Sequence, residues 1–391
     1  MRQSKRLLII TNRYPRCPDD TASPFVYDFR QALERLGIDV QIVTPFYAPP
    51  TEDTSYIDNS VCIFEWSDGR HVISQLPLYR PSSLAKIRIF FRNGFRSAAG
   101  ILESGEFDGI LALWAAPSGY IALKLSRKYD LPYAVWALGS DINSWAKLPF
   151  IGSVIVKVLK SADRLFADGC ELAMKVQAIT DRNCRFIPSY HAIRIDTERP
   201  LNPEKRFVSF GRIEKNKGVF DLLEAFRIFL NDHPDWKLYY VGTGRDENKL
   251  TSLIQAGNLS DSVVYAGYLH RSILNKLLAG STAAVIPSYS DSLPLTFGEA
   301  MQARLPVICS DVGDMPYFID KHKVGLHYPV GNVDELAERL HLMTRQHHQF
   351  SVNCPAVLEE LDIDNSAQAV AEWLDAVTFA RKNGERAYAN R

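Results

Sequence analysis

A glycine and two cations follow a predicted strand in the second half of the 391-residue chain. Residues 207–210 form the apolar strand pattern and lead directly into Gly211 and Arg212, with Lys217 further along the same loop. A glycine at the carboxyl end of a strand lets the backbone come close to a ligand, at the edge where open α/β sheets bind theirs. Because one loop carries both cations, we expect them to converge on a phosphate group rather than to form a solvated basic turn.

A predicted helix start lies further along, after the apolar strand 283–286. Pro294 suits the entry to a helix that begins near Leu295, since proline lacks the interior N–H but tolerates the first turn. The unpaired amides of that first turn would face the mouth of the sheet, where they suit a diphosphate. The helix start therefore predicts a second group of donors for the same anion.

Two carboxylates flank this helix start. Asp291 lies just before it and Glu299 about one turn inside the helix. Two acids at this spacing are usually a partner of the helix dipole and an exposed helix residue. In this setting we expect both to flank one ligand and to accept hydrogen bonds from its hydroxyl groups.

Short apolar runs alternate with helical patterns along the whole chain, which predicts parallel sheets buried on both faces. The strand candidates are residues 7–10, 40–44, 109–113, 133–137, 165–167, 207–210, 237–241, 263–265, 283–286 and 306–309, with helices at 25–36 and 219–231.

A seam of prolines and charged residues at 195–206 divides this pattern into two α/β halves. We predict an N-terminal Rossmann-like domain over residues 1–200 and a C-terminal Rossmann-like domain over 201–365. Residues 366–391 are predicted to form a terminal helix that crosses back to the first domain.

The composition excludes several classes of protein. Lys+Arg and Asp+Glu number 45 each, so no overall field favours nucleic acid, and we expect no nucleic-acid partner. The six cysteines form no metal-ligand spacing, which indicates reduced thiols. The four apolar residues that follow Arg6 are too few for a signal peptide, and no run is long enough to span a membrane, so we expect a cytoplasmic protein.

The order of these motifs resembles glycosyltransferase family 4, the large retaining family with the GT-B fold. That family has a Gly-Arg-x4-Lys-Gly loop, which the chain shows at 211–218, and an acid-x7-Glu motif ending in Glu-Ala-Met, which it shows at 291–301. Gly242 belongs to a turn similar to the family's Gly-x-Gly, and Tyr268 and Leu269 match the segment beside the nucleobase. The resemblance covers nearly the whole C-terminal half and implies two Rossmann-like domains with a cleft between them. The domain over 201–365 would bind the nucleotide sugar, and the domain over 1–200 would lie on the acceptor side with Ser23, Pro24, Gly139 and Asp141.

The resemblance also implies a role for each matching residue. Arg212 and Lys217 would hold the diphosphate of a nucleotide sugar, Glu299 the ribose hydroxyls, and Asp291 the transferred sugar. The amides around Leu295 and Thr296 would meet phosphate or sugar oxygens. Asp291 stands where glutamate is commoner, which shortens the reach by one methylene and bears on sugar preference.

The N-terminal half matches the family less closely. Ser23 and Pro24 begin a segment similar to a Gly-x-Phe-Val turn that reaches toward donor and acceptor, but the glycine is absent. Gly139 and Asp141 match a His-Gly-x-Asp segment in which Leu138 replaces the histidine. These departures predict altered sugar or acceptor contacts.

The reaction implied is metal-free transfer of a sugar to a glycan, lipid-linked or small-molecule acceptor, with retention and with no cofactor. Two cations and helix-terminal amides would stabilise the departing diphosphate. Two alternatives stay open: a non-catalytic protein that binds a nucleotide sugar, and a nucleotide-sugar epimerase, which would need no acceptor.

Two further segments of the sequence, 362–364 and 80–96, carry patterns with more than one interpretation. The Asp-Ile-Asp at 362–364 resembles the metal-binding motif of the other major glycosyltransferase fold, but Asp364 more plausibly starts the terminal helix. Residues 80–96 carry five cations and no acid beside the apolar stripe Leu84, Ile87, Phe91 and Phe95. This pattern predicts either peripheral contact with an anionic membrane or a core-packed helix with a solvated edge.

Overall fold

The computed structural model describes residues 4–383 except 19, 21, 49–51, 68, 70–72, 74–75, 77–79, 194–198 and 201. The chain divides into two compact units. The first comprises the residues up to Ser189 together with those from Ile363 onward, and the second is Tyr190–Asp362. The division therefore falls before the predicted residue 200, and residues 195–198 and 201 of the predicted seam at 195–206 lie outside the described residues.

A parallel sheet forms the centre of the first unit. Its seven strands within the described residues are β1 Arg6–Ile10, β2 Asp39–Pro45, β3 Val61–Phe64, β4 Gly109–Leu113, β5 Tyr133–Ala137, β6 Arg164–Ala167 and β7 Cys184–Phe186. Their order is β3-β2-β1-β4-β5-β6-β7, which contains the Rossmann order with its reversal at β1 and β4. All side chains of β4 and β5 are buried, as expected for strands covered by helices on both faces.

The helices of the first unit lie between successive strands along the chain. They are α1 Phe25–Arg35, α2 Pro81–Glu103, α3 Ser118–Tyr129, α4 Ser140–Asn143, α5 Ile151–Ser161 and α6 Cys170–Thr180. The C-terminal helix, Ile363–Lys382, packs against α1, so the terminal helix returns to the first unit as expected. It begins three residues before the predicted start at 366.

The second unit repeats this architecture. Its strands are β8 Glu204–Phe210, β9 Lys237–Val241, β10 Val263–Gly267, β11 Ser281–Ile286, β12 Val307–Ser310 and β13 Gly325–Tyr328, in the order β10-β9-β8-β11-β12-β13. Its helices are α7 Val219–Phe229, α8 Glu247–Ala256, α9 Arg271–Gly280, α10 Leu295–Gln302, α11 Met315–His322, α12 Val333–Ser351 and α13 Cys354–Leu361.

The predicted α/β class with two parallel sheets is confirmed. The strands that the sequence did not predict are β3, β7 and β13, which are only three or four residues long. β13 lies at the edge of its sheet and has two half-buried residues, Leu326 and His327, between its buried ends, so it lacks the continuous apolar run of a central strand.

Candidate functional site

The loop after β8 is held by close backbone packing at the carboxyl edge of the second sheet. Gly211 has a φ of 131° and Gly242 a φ of 123°. A Cβ at Gly242 would lie 1.9 Å from the carbonyl oxygen of Gly211, and one at Gly244 would lie 2.3 Å from that of Ile213. The glycines of the turn after β9 therefore let two loops touch through their backbones.

Lys217 and Asp291 come from two different loops and meet in an ion pair. The Lys217 ammonium donates to both carboxylate oxygens of Asp291, at 2.6 and 2.8 Å. Both side chains are mostly buried, with 19% of Lys217 and 17% of Asp291 exposed. The sequence placed both residues on one ligand, and the structure brings them together.

Backbone contacts fix the loop that carries Lys217 against the loop that carries Asp291. The amide of Tyr289 donates to the carbonyl of Asn216 at 2.9 Å. Gly218, with a φ of 69°, leaves no room for a side chain, because a Cβ there would lie 1.9 Å from the carbonyl oxygen of Pro287. The position of the Lys217 ammonium is thus set by the packing of backbone on backbone.

The amino end of α10 lies beside the same loop. The helix begins at Leu295 after Pro294, as predicted, and the Phe297 amide donates to the Pro294 carbonyl at 2.9 Å. The amides of Leu295 and Thr296 have no acceptor within the helix. A Cβ at Gly211 would lie 3.6 Å from Cγ2 of Thr296, so the glycine of the first motif adjoins the first turn of α10.

Glu299 points toward a residue that the sequence interpretation missed. Its carboxylate accepts a hydrogen bond from Nη1 of Arg271 at 2.9 Å, with 10% of Glu299 and 25% of Arg271 exposed. Arg271 is the first residue of α9 and follows the Tyr268-Leu269 segment closely. A cation at the start of a helix gains nothing from the dipole, and this mismatch was the signal that could have identified it.

Arg212 does not reach the ion pair of Lys217 in this structure. Its side chain is 62% exposed, and Nη1 lies 3.1 Å from the Glu214 carboxylate. Of the residues predicted to lie beside a nucleobase, Tyr268 is 53% exposed and Leu269 is half-buried. The structure therefore brings Gly211, Lys217, Asp291 and Thr296 together and places Arg212 at the exposed rim of the loop.

In the first unit, the backbone explains the predicted turn before α1. Ser23 has a φ of 59°, the left-handed region that favours glycine, so the serine occupies the conformation that the family's glycine would adopt. Pro24 is buried and immediately precedes α1. Gly139 has a φ of 97° and precedes α4, where a side chain would likewise be strained.

Asp141 has a structural function that its interpretation as an acceptor contact did not foresee. The side chain is 1% exposed, and its oxygens accept hydrogen bonds from the amides of Ala115 at 2.7 Å, Ile142 at 3.1 Å and Leu138 at 3.3 Å. It thus joins the loops that follow β4 and β5. Burial raises the pKa of Asp141 to about 6, and the amide donors partly oppose this shift.

The raised pKa of Asp141 predicts a pH-dependent stability. The folded state holds this proton more tightly than the unfolded chain, whose aspartate has a pKa of 3.8, so the contribution is full below pH 3.8 and lost as the pH rises through 6. The shift corresponds to about 3 kcal/mol. We expect the free energies of unfolding of wild type and Asp141→Asn to diverge by this amount across that range in urea titrations. Parallel pH profiles of the two proteins would contradict the assignment.

The described part of the chain has neither a cluster of metal ligands nor a membrane-spanning helix. No three His, Cys, Asp or Glu residues there lie close enough together to hold a metal ion. None of the helices in these ranges has the length and hydrophobicity needed to cross a bilayer. Asp364 lies in the first turn of the C-terminal helix, as predicted for the second acid of the Asp-Ile-Asp segment.

Comparison with known proteins places this geometry in a family. Residues 194–350 match the family model described as glycosyl transferases group 1. An uncharacterized glycosyltransferase from Methanocaldococcus jannaschii is 32% identical over 78% of this chain and 80% of its own length. TuaC of Bacillus subtilis, a protein named for teichuronic acid biosynthesis, is 27% identical over 95% of this chain and 99% of its own.

Solved structures share the fold across nearly the whole chain. Anabaena HepE in complex with UDP-glucose matches with a TM-score of 0.72 at 16% identity, over 94% of this chain and 99% of that one. Staphylococcus aureus TarM, solved with UDP and α-GlcNAc-glycerol, matches with a TM-score of 0.72 at 12% identity, over 96% and 99%. These likenesses confirm the GT-B fold.

Proposed function

The chain belongs to the family of glycosyl transferases group 1, and from this premise we propose that it moves a sugar from a nucleotide-sugar donor to a glycan, lipid-linked or small-molecule acceptor, with retention and without a metal ion. The observation that carries the proposal is the Lys217–Asp291 pair beside the first turn of α10. This arrangement sets a cation, a carboxylate and free helix amides at the carboxyl edge of a parallel sheet, where such sheets bind phosphorylated ligands.

The donor's groups map onto this site. Lys217 and the amides of Leu295 and Thr296 would hold the diphosphate, Arg212 would turn from the rim onto the same phosphates, and Glu299 would accept the ribose hydroxyls. Asp291 would contact the transferred sugar once the diphosphate takes over part of its pairing with Lys217. UDP is the first nucleotide to test, because HepE and TarM were each solved with it.

The chemistry needs charge stabilisation more than a separate base. As the bond between the anomeric carbon and the phosphate oxygen breaks, negative charge grows on the departing diphosphate, where the ammonium and amides lie. The acceptor hydroxyl attacks the same face and passes its proton to an oxygen of that phosphate. Anomeric configuration is thereby retained, and ¹H NMR of the product reports it directly.

Replacing Glu299 by alanine tests the donor assignment. We expect the donor KM to rise at least tenfold, because a hydrogen bond to a charged group is worth roughly 1.5–3 kcal/mol. Glu335→Ala is the matched control, since Glu335 pairs with Arg339 at 2.7 Å on a helix of the same unit. Initial rates of donor hydrolysis and transfer give the KM values, and an unchanged KM in Glu299→Ala would contradict the assignment.

The membrane contact that we propose for residues 80–96 is electrostatic. Ile87, Phe91 and Phe95 pack against the core of the first unit. This part of the apolar stripe is therefore not free to insert into a membrane, which a basic amphipathic helix lying on the membrane would require. Arg88, Arg92 and Arg96 are exposed along the same helix. We propose that these arginines bring the enzyme peripherally to an anionic cytoplasmic membrane face, where a lipid-linked acceptor would lie.

Co-sedimentation with vesicles tests this contact. Three arginines near an anionic surface should contribute about 3 kcal/mol, so neutralising all three to glutamine should weaken binding to phosphatidylserine vesicles about 100-fold at low salt. The control neutralises three exposed cations of the second unit, Lys205, Arg227 and Lys321. Equal pelleting of both triple variants, or no pelleting of wild type, would end the proposal.

A further inference from the structure

A separate cavity of about 210 Å³ lies in the first unit, near the carboxyl ends of β1 and β2. Part of its wall is the segment between β1 and α1, and part is the end of β2 with the residues that follow it. The polar residues that line it are Arg13, Tyr14, Arg16, Asp20, Thr44 and Tyr47. None of them belongs to the donor site proposed above.

Arg13 brings an unused guanidinium to this cavity. Its side chain makes no hydrogen bond or ion pair with any described residue, and its Nε is buried without a partner. The guanidinium of Arg13 makes a cation–π contact with Tyr47, whose ring centroid lies 5.2 Å from Cζ. A buried donor without an acceptor is uncommon in folded proteins, and Arg13 lines the cavity, so its charge is the one that a ligand there would neutralise.

The balance of charge in the cavity is positive. Arg16 is 8% exposed, and its guanidinium donates a hydrogen bond to the carbonyl of Tyr47. The Asp20 carboxylate is already engaged, because one oxygen accepts from the amide of Arg16 at 3.1 Å and the other from that of Ala22 at 2.9 Å. Two guanidinium groups thus line the cavity with one carboxylate, whose oxygens are held by the backbone. Glu65 is not among the lining residues but interacts with the charge of Arg16.

Two hydroxyl groups complete the polar wall. Thr44 is 3% exposed, and its Oγ1 is buried without a hydrogen-bond partner. Burial raises the pKa of Tyr47 to about 12, so its hydroxyl keeps its proton and can donate. These hydroxyls, beside the unpaired guanidinium of Arg13, suit a ligand that carries both an anionic group and hydroxyl groups.

Size limits the ligand to one small ring. The volume lies below the ~300 Å³ at which pockets for drug-sized ligands begin. Apolar side chains of Ala22, Pro45, Ile57 and Ile63 form the remaining wall, which suits the carbon face of a sugar. A cavity of this size suits a single monosaccharide unit.

We propose that this cavity binds an acidic monosaccharide unit through its carboxylate or phosphate, with Arg13 as the principal anion contact. Its assignment to the sugar acceptor rests on the proposed transferase function, whereas the anion binding does not. The acceptor of this enzyme would then be an acidic glycan or a sugar phosphate.

Isothermal titration calorimetry at low salt tests the proposal on the full chain, with glucuronate, glucose 6-phosphate, inorganic phosphate and glucose as probes. We expect at least one acidic sugar to bind at least tenfold more tightly than glucose. Stronger binding of glucuronate would identify a carboxylate ligand, and stronger binding of glucose 6-phosphate or phosphate a phosphoryl group. Equal affinity for glucose, or no binding of any probe, would overturn the proposal.

Variants locate the binding in this cavity. Arg13→Gln should lower the affinity for the acidic sugar at least tenfold. Thr44→Val, which keeps the shape and removes the hydroxyl, should lower it more modestly. Arg35→Gln is the control, since Arg35 is an exposed arginine of the same unit paired with Asp364. Unchanged affinity in both Arg13→Gln and Thr44→Val would overturn the proposal.

A thermal-shift measurement with UDP separates this proposal from the proposed function. The donor site lies in the second unit, so Arg13→Gln should keep the wild-type shift with a nucleotide. If no nucleotide binds but the acidic sugar does, the transferase proposal fails and the anion site stands. If the nucleotide binds but no acidic sugar does, the reverse holds.

Discussion

Lys217→Met is expected to lower kcat/KM for the nucleotide sugar by about 10²–10³-fold, the loss typical of removing one preorganised donor from a developing oxyanion. The ammonium is held by both oxygens of Asp291 and lies in the loop whose backbone packs on Pro287. Methionine keeps much of the side-chain volume and removes the charge. Because the leaving diphosphate gains charge in the transition state, kcat should fall as well as the affinity for the donor.

Lys215→Met is the control for this substitution. Lys215 lies in the same short 3₁₀ turn, Lys215–Lys217, but its side chain is exposed. Its removal changes the net charge equally and should change kcat/KM less than threefold if the effect of Lys217 is local. A comparable loss in both variants would mean that the loop contributes only a general field, and the proposed contact would be wrong.

Gly218→Ala is expected to destabilise the second unit by at least ~4 kcal/mol, which is exceptional for a single substitution. The new Cβ would lie 1.9 Å from the carbonyl oxygen of Pro287 and 2.8 Å from its carbonyl carbon, so one of the two loops must move. The left-handed φ of 69° adds strain of about 1–2 kcal/mol. We expect a fall in Tm of ~8 °C or more, measured by thermal unfolding.

Gly267→Ala separates the clash from the backbone strain. Gly267 has a nearly equal φ of 62° in the same unit, but a Cβ there would meet nothing within 4 Å. This control should lose only about 1 kcal/mol, because the strain is partly offset by the lower entropy of the unfolded alanine chain. If both variants melted together, the close packing of the two loops would not hold Lys217 in place.

The parts of the site that the sequence predicted are those that depend on the local pattern of residues along the chain. Gly211 after β8 and Leu295 at the start of α10 could be placed because strand ends and helix starts have local signatures. The meeting of Lys217 and Asp291 could be expected because the carboxyl ends of β8 and β11 are neighbours in a sheet of this order. In this respect the chemistry followed from the topology.

The parts that the sequence did not predict depend on the rotamers and burial of single side chains. Arg212 and Lys217 share one loop, yet only Lys217 turns inward, while Arg212 pairs with Glu214. Arg271 comes to Glu299 from a different βα unit, so no local pattern links the two residues. Asp141 occupies the last position of the His-Gly-x-Asp segment, but only the loops that enclose it determine whether its carboxylate faces solvent or the core.

Calorimetric titration with UDP, GDP and ADP tests the central claim most directly. We expect one of the three nucleotides to bind the wild-type protein. Lys217→Met should weaken this binding at least tenfold, whereas Lys215→Met should leave the affinity within threefold of wild type. Nucleotide binding that is equally tight in wild type and Lys217→Met, or no binding of any of the three to wild type, would contradict it.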